Sequence, residues 1–296
     1  MAPVMSVTTA LAADLVLDAH ALLGEGAIWH ARKNLLYWID IDPGLVHLYD
    51  PVTGKDRTLS VGQPIGTIVP RARGGAVVAL RDGFAALDLE TGKLDLIADP
   101  EAHLTGNRFN DGKCDPRGRF WAGTLGRDPG ALYRLDADLS VHRIFGEVKC
   151  SNGIVWSLDR KTMWYIDTGT GRVDALDYDD ATGAVTNRRP LITIPPAEGH
   201  PDGSTLDAEG HLWVCLWDGG AVVCFDPATG KELRRVKLPV RKITSCAFGG
   251  PKLDTLYITT SRHGIGPEGD PQQPHAGGLF KCVPGVVGLP APEFAG

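Results

Sequence analysis

The sequence predicts an all-β fold, a six-bladed β-propeller with four-stranded blades around a central channel. Three observations predict it. A strand-like segment recurs six times at nearly even spacing, turn residues punctuate the chain, and a polar position recurs at one place in the repeat. Short alternating or apolar runs dominate, with no sustained helical period.

The recurring segment is rich in aromatic and β-branched residues. It reads Leu35-Leu-Tyr-Trp-Ile-Asp, Ala76-Val-Val-Ala-Leu, Gly118-Arg-Phe-Trp-Ala-Gly, Thr162-Met-Trp-Tyr-Ile-Asp, His211-Leu-Trp-Val-Cys-Leu and Thr255-Leu-Tyr-Ile-Thr-Thr. The starts at 35, 76, 118, 162, 211 and 255 are separated by 41, 42, 44, 49 and 44 residues. Periods of roughly 40–45 residues are what four-stranded blades need. Each copy is followed by another strand, and in four copies that strand ends in a Thr-Gly turn: Tyr49-Asp-Pro-Val-Thr-Gly, Leu87-Asp-Leu-Glu-Thr-Gly, Tyr178-Asp-Asp-Ala-Thr-Gly and Phe225-Asp-Pro-Ala-Thr-Gly. Pro presets φ and Gly accepts a positive φ at such turns. Residues 15–19 are expected to supply the outer strand of the last blade and close the ring. Residues 1–296 read as one propeller domain, with residues 1–12 a flexible extension.

Ahead of each copy lies an apolar run expected to be the innermost strand. Five of these begin with one residue followed by glycine: Glu25-Gly26, Ile65-Gly66, Asp111-Gly112, Asn152-Gly153 and Asp202-Gly203; the sixth has Ser245-Cys246. Taken singly, Asn-Gly and Asp-Gly are hairpin-turn signals. Their shared place in the repeat argues otherwise, because innermost strands converge on the channel. Acids gathered there repel one another and lose hydration unless a cation compensates. Glu25, Asn152 and Asp202 offer an all-oxygen set suited to one divalent ion, Ca²⁺, Mg²⁺ or Mn²⁺, with Zn²⁺ less expected.

Composition excludes several classes. The 296 residues are 43% hydrophobic with a formal net charge of −6, and no Lys/Arg run follows phosphates, so no nucleic-acid partner is expected. No apolar stretch approaches the roughly 20 residues of a membrane span, and no basic n-region precedes residues 11–17. The six cysteines form no C-x-x-C or zinc-ribbon pattern and read as buried, reduced and cytoplasmic. There is no Gly-x-Ser-x-Gly elbow, His-Glu-x-x-His motif or phosphate loop.

Five segments with Ala276-Gly-Gly-Leu-Phe-Lys make the chain resemble the regucalcin (senescence marker protein)–gluconolactonase family: Gly24-Glu-Gly-Ala-Ile-Trp, Arg108-Phe-Asn-Asp-Gly-Lys, Ser151-Asn-Gly-Ile-Val-Trp-Ser-Leu-Asp, His200-Pro-Asp-Gly and Thr244-Ser-Cys-Ala-Phe-Gly-Gly. The resemblance implies a six-bladed propeller, a divalent metal held by Glu25, Asn152 and Asp202, and a sugar lactone contacted by Arg108 and Asn110. It places Asp111 behind the ligands or near a bound water. Vertebrate members carry a substrate-contacting acid in a longer loop after the Phe-Ala-Gly-Thr segment. Here Trp121-Ala-Gly-Thr-Leu-Gly-Arg-Asp128 returns quickly to Ala131, which leaves Asp128 as the substitute. His200 is a further candidate at the entrance.

The expected reaction is metal-dependent hydrolysis of an aldonolactone such as gluconolactone to the sugar acid. Asp202 is the expected general base and Asp111 the runner-up. The alternatives are a metal-dependent hydrolase of other esters or phosphotriesters, a non-enzymatic calcium-binding or regulatory protein, and an interaction platform. The expected partner is the small lactone alone, with the chain a monomer or weak homo-oligomer.

Overall fold

The computed structural model describes residues 10–266 and 268–296. Strands β1 (Ala10–Ala12) and β2 (Asp14–Leu17) lead in. The first sheet is β3 (Gly24–His30), β4 (Leu35–Asp40), β5 (Leu45–Asp50) and β6 (Lys55–Ser60), and the second is β7 (Ile65–Pro70), β8 (Ala76–Leu80), β9 (Gly83–Leu87) and β10 (Leu94–Ala98). The third runs β11 (Asn107–Cys114), β12 (Phe120–Leu135), β13 (Val141–Trp156), β14 (Thr162–Asp167), β15 (Arg172–Tyr178) and β16 (Val185–Thr193). The fourth is β17 (His200–Leu206), β18 (Leu212–Trp217), β19 (Ala221–Asp226) and β20 (Lys231–Lys237), with β1 parallel on its outer edge. The fifth is β21 (Ile243–Gly249), β22 (Thr255–Thr260) and β23 (Leu279–Cys282), closed by β2.

The fold is an all-β propeller, but the six-bladed expectation is corrected: the strands join into five blades, counted as hydrogen-bonded sheets, and not all are four-stranded. The third and fourth repeats share one six-stranded sheet. The cause is β13, which pairs with β12 through its first part and with β14 from Ser151 onward. Other repeats are separated by breakers such as Pro64, Pro100, Pro195 and Pro239. No proline interrupts residues 141–156, so the strand runs on. The expected extension is also altered, since Ala10–Ala12 pair with β20; residues 1–9 lie outside the described residues. The closing strand expected from residues 15–19 is β2, antiparallel to β23.

Each sheet is packed on both faces by its neighbours. This explains why Leu36, Tyr37, Trp38 and Ile39 are all buried and why the recurring segment reads as a continuous apolar run. The four Thr-Gly turns form as read, with Gly54, Gly92, Gly183 and Gly230 at positive φ. Their aspartates add something the turn signal alone does not specify. Asp50, for example, accepts from the N–H of Val52 at 2.9 Å and the Thr53 hydroxyl at 2.8 Å.

The inner strands β3, β7, β11, the end of β13, β17 and β21 touch in succession, and β21 returns to β3. Among the described residues, no helix is long and apolar enough to cross a membrane.

Candidate metal centre

The X-Gly pairs are not hairpin turns. All lie inside inner strands, and every inner strand shifts register there: at Glu25/Ile28, Ile65/Thr67, Phe109/Gly112, Ser151/Ile154, Pro201/Ser204 and Ile243/Cys246. A bulge re-aims the side chain it carries. Glycine is required by crowding. A Cβ on Gly153 would lie 2.9 Å from the Asp202 carbonyl, and one on Gly203 would lie 2.7 Å from the Thr244 carbonyl. Gly26 needs glycine for a second reason, a φ of +60°.

Glu25, Asp111, Asn152 and Asp202 are thereby gathered at one end of the channel, each no more than 5% exposed. Burial, then the neighbouring Asp111, pushes the Glu25 carboxyl up to about 8. Burial, then Glu25 and Asp111, raises Asp202 well above the usual carboxylate range. Asp111 is raised by burial and partly relieved by Lys113. The three acids feel one another, as the repeat argument requires.

The amides are oriented by a continuous network. Asn152 Nδ2 donates to Thr168 Oγ1 at 2.7 Å, and that hydroxyl donates to the Pro201 carbonyl at 2.7 Å. This directs Asn152 Oδ1 away from Thr168, where it accepts from Asn110 Nδ2 at 3.2 Å. Asn110 Nδ2 also donates to the Ser151 carbonyl at 2.7 Å, and Asn110 Oδ1 accepts from Arg108 Nη1 at 2.7 Å. Asn110, expected to touch substrate, thus braces Arg108 against Asn152. Among the described residues no hydrogen bond occupies Arg108 Nε or Nη2.

Asp128 and His200 are exposed. The Asp128 N–H donates to Asn107 Oδ1 at 3.2 Å, beside Arg108. The return expected after Trp121 is not a loop; β12 continues through it with register shifts between Leu125 and Leu132. His200 opens β17, opposite Trp217.

Sequence reasoning missed three positioning residues. Asp40 accepts from Leu22 N–H at 2.9 Å and Leu23 N–H at 2.8 Å, just before Glu25. Asp167 does the same for Lys149 at 3.1 Å and Cys150 at 2.9 Å, just before Asn152. The repeated Ile-Asp ending of two recurring segments was the available signal. Thr168, the third, follows Asp167 and carries no repeat signal. Thr168→Val is expected to weaken divalent-metal affinity by about tenfold without unfolding the chain, since groups that orient a ligand are worth roughly 10–100-fold; calorimetric titration checks it.

The residues fit a divalent cation on two observations. Asp111 Oδ2 and Ser245 Oγ, both on the recurring rim position, are buried without a hydrogen-bond partner. The donors are hard oxygens with an excess of negative charge.

A second cluster, Asp207, His211 and Cys224, has ligand-type atoms within 4.8 Å of one another. Its chemistry is structural. Asp207, 0% exposed, accepts from the N–H groups of Glu209 at 3.0 Å and His211 at 2.8 Å, and from Trp213 Nε1 at 3.0 Å. Asp115 makes the same latch with Arg117, Arg119 and Trp121. Asp207→Ala is expected to cost about 2–4 kcal/mol of stability by orphaning these donors, with bound-metal stoichiometry unchanged. Denaturant unfolding and metal analysis read the two effects.

Comparison with known proteins agrees with this architecture. Residues 23–262 match the family described as SMP-30/Gluconolactonase/LRE-like region. The chain belongs to that family. It is 42% identical to regucalcin of Xenopus laevis over 96% of this chain and 98% of that one. Among solved structures, a calcium-binding protein, regucalcin, from Agrobacterium tumefaciens is 28% identical with a TM-score of 0.91, covering 98% of this chain and 99% of that one. A luciferin-regenerating enzyme is 33% identical with a TM-score of 0.89, covering 96% and 99%.

Proposed function

We propose that the chain hydrolyses a small sugar lactone, an aldonolactone such as gluconolactone, with one divalent cation held by Glu25, Asn152 and Asp202. The observation that carries this reading is the union, at one end of the channel, of buried mutually repelling carboxylates with an anchored arginine whose remaining N–H groups are free of hydrogen bonds among the described residues. Family membership supports it. All-oxygen ligation favours Ca²⁺, Mg²⁺ or Mn²⁺.

When bound, the cation supplies Lewis-acid polarisation of the lactone carbonyl. Asp202 accepts the proton of the attacking water at a carboxylate oxygen. Water oxygen bonds to the carbonyl carbon, the ring C–O bond breaks, and the proton passes to the departing ring oxygen. Arg108 donates to ring or hydroxyl oxygens of the sugar. Asn110 holds Arg108 and Asn152 in fixed relation. Asp111 stands beside Asp202 as a further acceptor, and Asp128 and His200 offer polar groups at the rim.

In this reading the lactone is the sole partner, and the chain works as a monomer or weak homo-oligomer without nucleic acid or membrane. The six free cysteines suit a reducing compartment, the cytoplasm. The test is a panel: glucono-, xylono-, arabinono- and galactonolactones beside a carboxylic ester and a phosphotriester, with acid release followed by a pH indicator. The reading expects turnover on at least one lactone to exceed that on both other classes. Preference for the phosphotriester would move the assignment to that hydrolase class.

A further inference from the structure

Lys113 lies two residues beyond Asp111 on β11, and Ser204 lies two residues beyond Asp202 on β17. The inner strand of β13 stands between them round the ring. The Lys113 ammonium nonetheless donates to the Ser204 carbonyl. The side chain therefore crosses the channel one step below the carboxylates. On its far side lies a mainly apolar cavity of about 380 Å³ at the opposite face, lined among others by Trp29, Ile154, Leu206, Phe248 and Pro290, with Lys113 in its wall. Nothing in the proposed reaction uses this ammonium. The half-buried ammonium ends on a backbone carbonyl of the strand that carries Asp202, which fixes its charge near the acid-bearing positions.

We propose that Lys113 is the charged floor of the metal chamber: tied across the channel to Ser204, it holds a fixed positive charge under Glu25, Asp111 and Asp202 and thereby sets how strongly the chamber discriminates between cations of different charge. The inference rests on the metal-site reading. Its support is geometric: the ammonium leaves β11 two residues past Asp111 and ends on the Ser204 carbonyl, two residues past Asp202 on β17. Two consequences follow from Coulomb's law. The floor offsets part of the acids' repulsion when no metal is bound. It also repels a bound cation in proportion to that cation's charge, so it penalises a trivalent ion more than a divalent one. Lys113 acts here as a positioning and electrostatic residue, with no contact to substrate.

The test is the ratio of Tb³⁺ to Ca²⁺ affinity, measured by calorimetric titration of the metal-stripped full-length chain. Proton competition affects both ions alike and cancels in the ratio. Lys113→Gln removes the charge and leaves a shorter side chain that ends in a neutral N–H donor. It is expected to raise the ratio about tenfold or more, on the order of one charge at an effective dielectric near 20. Lys113→Arg is expected to keep the ratio within about threefold of wild type on the same scale. Thermal unfolding of each variant verifies folding, and Lys113→Met replaces the glutamine variant should that one not fold. A ratio that is unchanged or lower in the folded charge-removed variant would overturn the floor while leaving the metal reading intact. Failure of the wild-type chain to bind either ion would overturn both.

Discussion

Asp202→Asn is expected to lower lactone turnover by about a thousandfold or more, while making the metal-free chain more stable at pH 8. The two effects share one cause. Asp202 is buried among Glu25 and Asp111, and its ionised form is opposed first by burial and then by both neighbours. Asparagine keeps the shape and removes the charge, so the repulsion is relieved. The same change removes one of two negative charges from the ligand set and deletes the proton acceptor, a role worth roughly 10²–10⁴-fold by itself. Steady-state kinetics with saturating metal and thermal unfolding without metal read the two arms. Functional sites commonly trade stability for charge placement in this way. A variant that lost activity only by unfolding would show a lower, not higher, metal-free Tm.

The second large effect is in how the metal-free chain responds to pH. The Glu25 carboxyl is held near 8 in the folded state, against an ordinary value of 4.5. Between those limits the folded chain binds more protons than the unfolded chain, so stability falls as pH rises. This contribution is fully present below 4.5 and lost as pH passes through about 8. Asp202 and Asp111, also raised, act in the same direction. At about 1.4 kcal/mol per pKa unit, the loss across pH 5 to 8 is on the order of a few kcal/mol. Added metal is expected to reverse the slope, because binding requires the ionised carboxylates and releases their protons. The stabilisation by metal should therefore grow from pH 5 to pH 8. Thermal unfolding with chelator and with excess Ca²⁺ at each pH is the measurement; parallel curves would show that these acids do not hold the ion.

Part of the candidate site stood out in the sequence. Glu25, Asp111, Asn152 and Asp202 stood out because a repeat places equivalent residues at equivalent positions, and the structure buries all four. What the repeat conceals is whether consecutive copies are joined by a loop or by a continuous strand. Here β13 pairs with β12 through its first part and with β14 through its last, and that joins two repeats in one sheet. The Asp-x-x-Gly-x-x-Trp latch was visible twice, at Asp115 and Asp207, yet a pattern of that kind signals packing only once the indole N–H is seen on the carboxylate. Asn110 adds a feature that spacing along one strand does not reveal: its amide donates to the Ser151 carbonyl and Asn152 Oδ1, and its carbonyl accepts from Arg108. Thr168 braces Asn152 from a 3₁₀ turn outside the inner strands, so nothing in the recurring pattern marked it.

The measurement that bears most directly on the account is hydrolysis of glucono-1,5-lactone by the chain stripped of metal and then restored with Ca²⁺, Mg²⁺, Mn²⁺ or Zn²⁺, alongside Glu25→Gln. The account predicts background rates for the stripped chain, recovery with at least one hard divalent ion, and no recovery for the variant at the same metal concentration. Full turnover by the stripped, folded chain, or full recovery by Glu25→Gln, would contradict it.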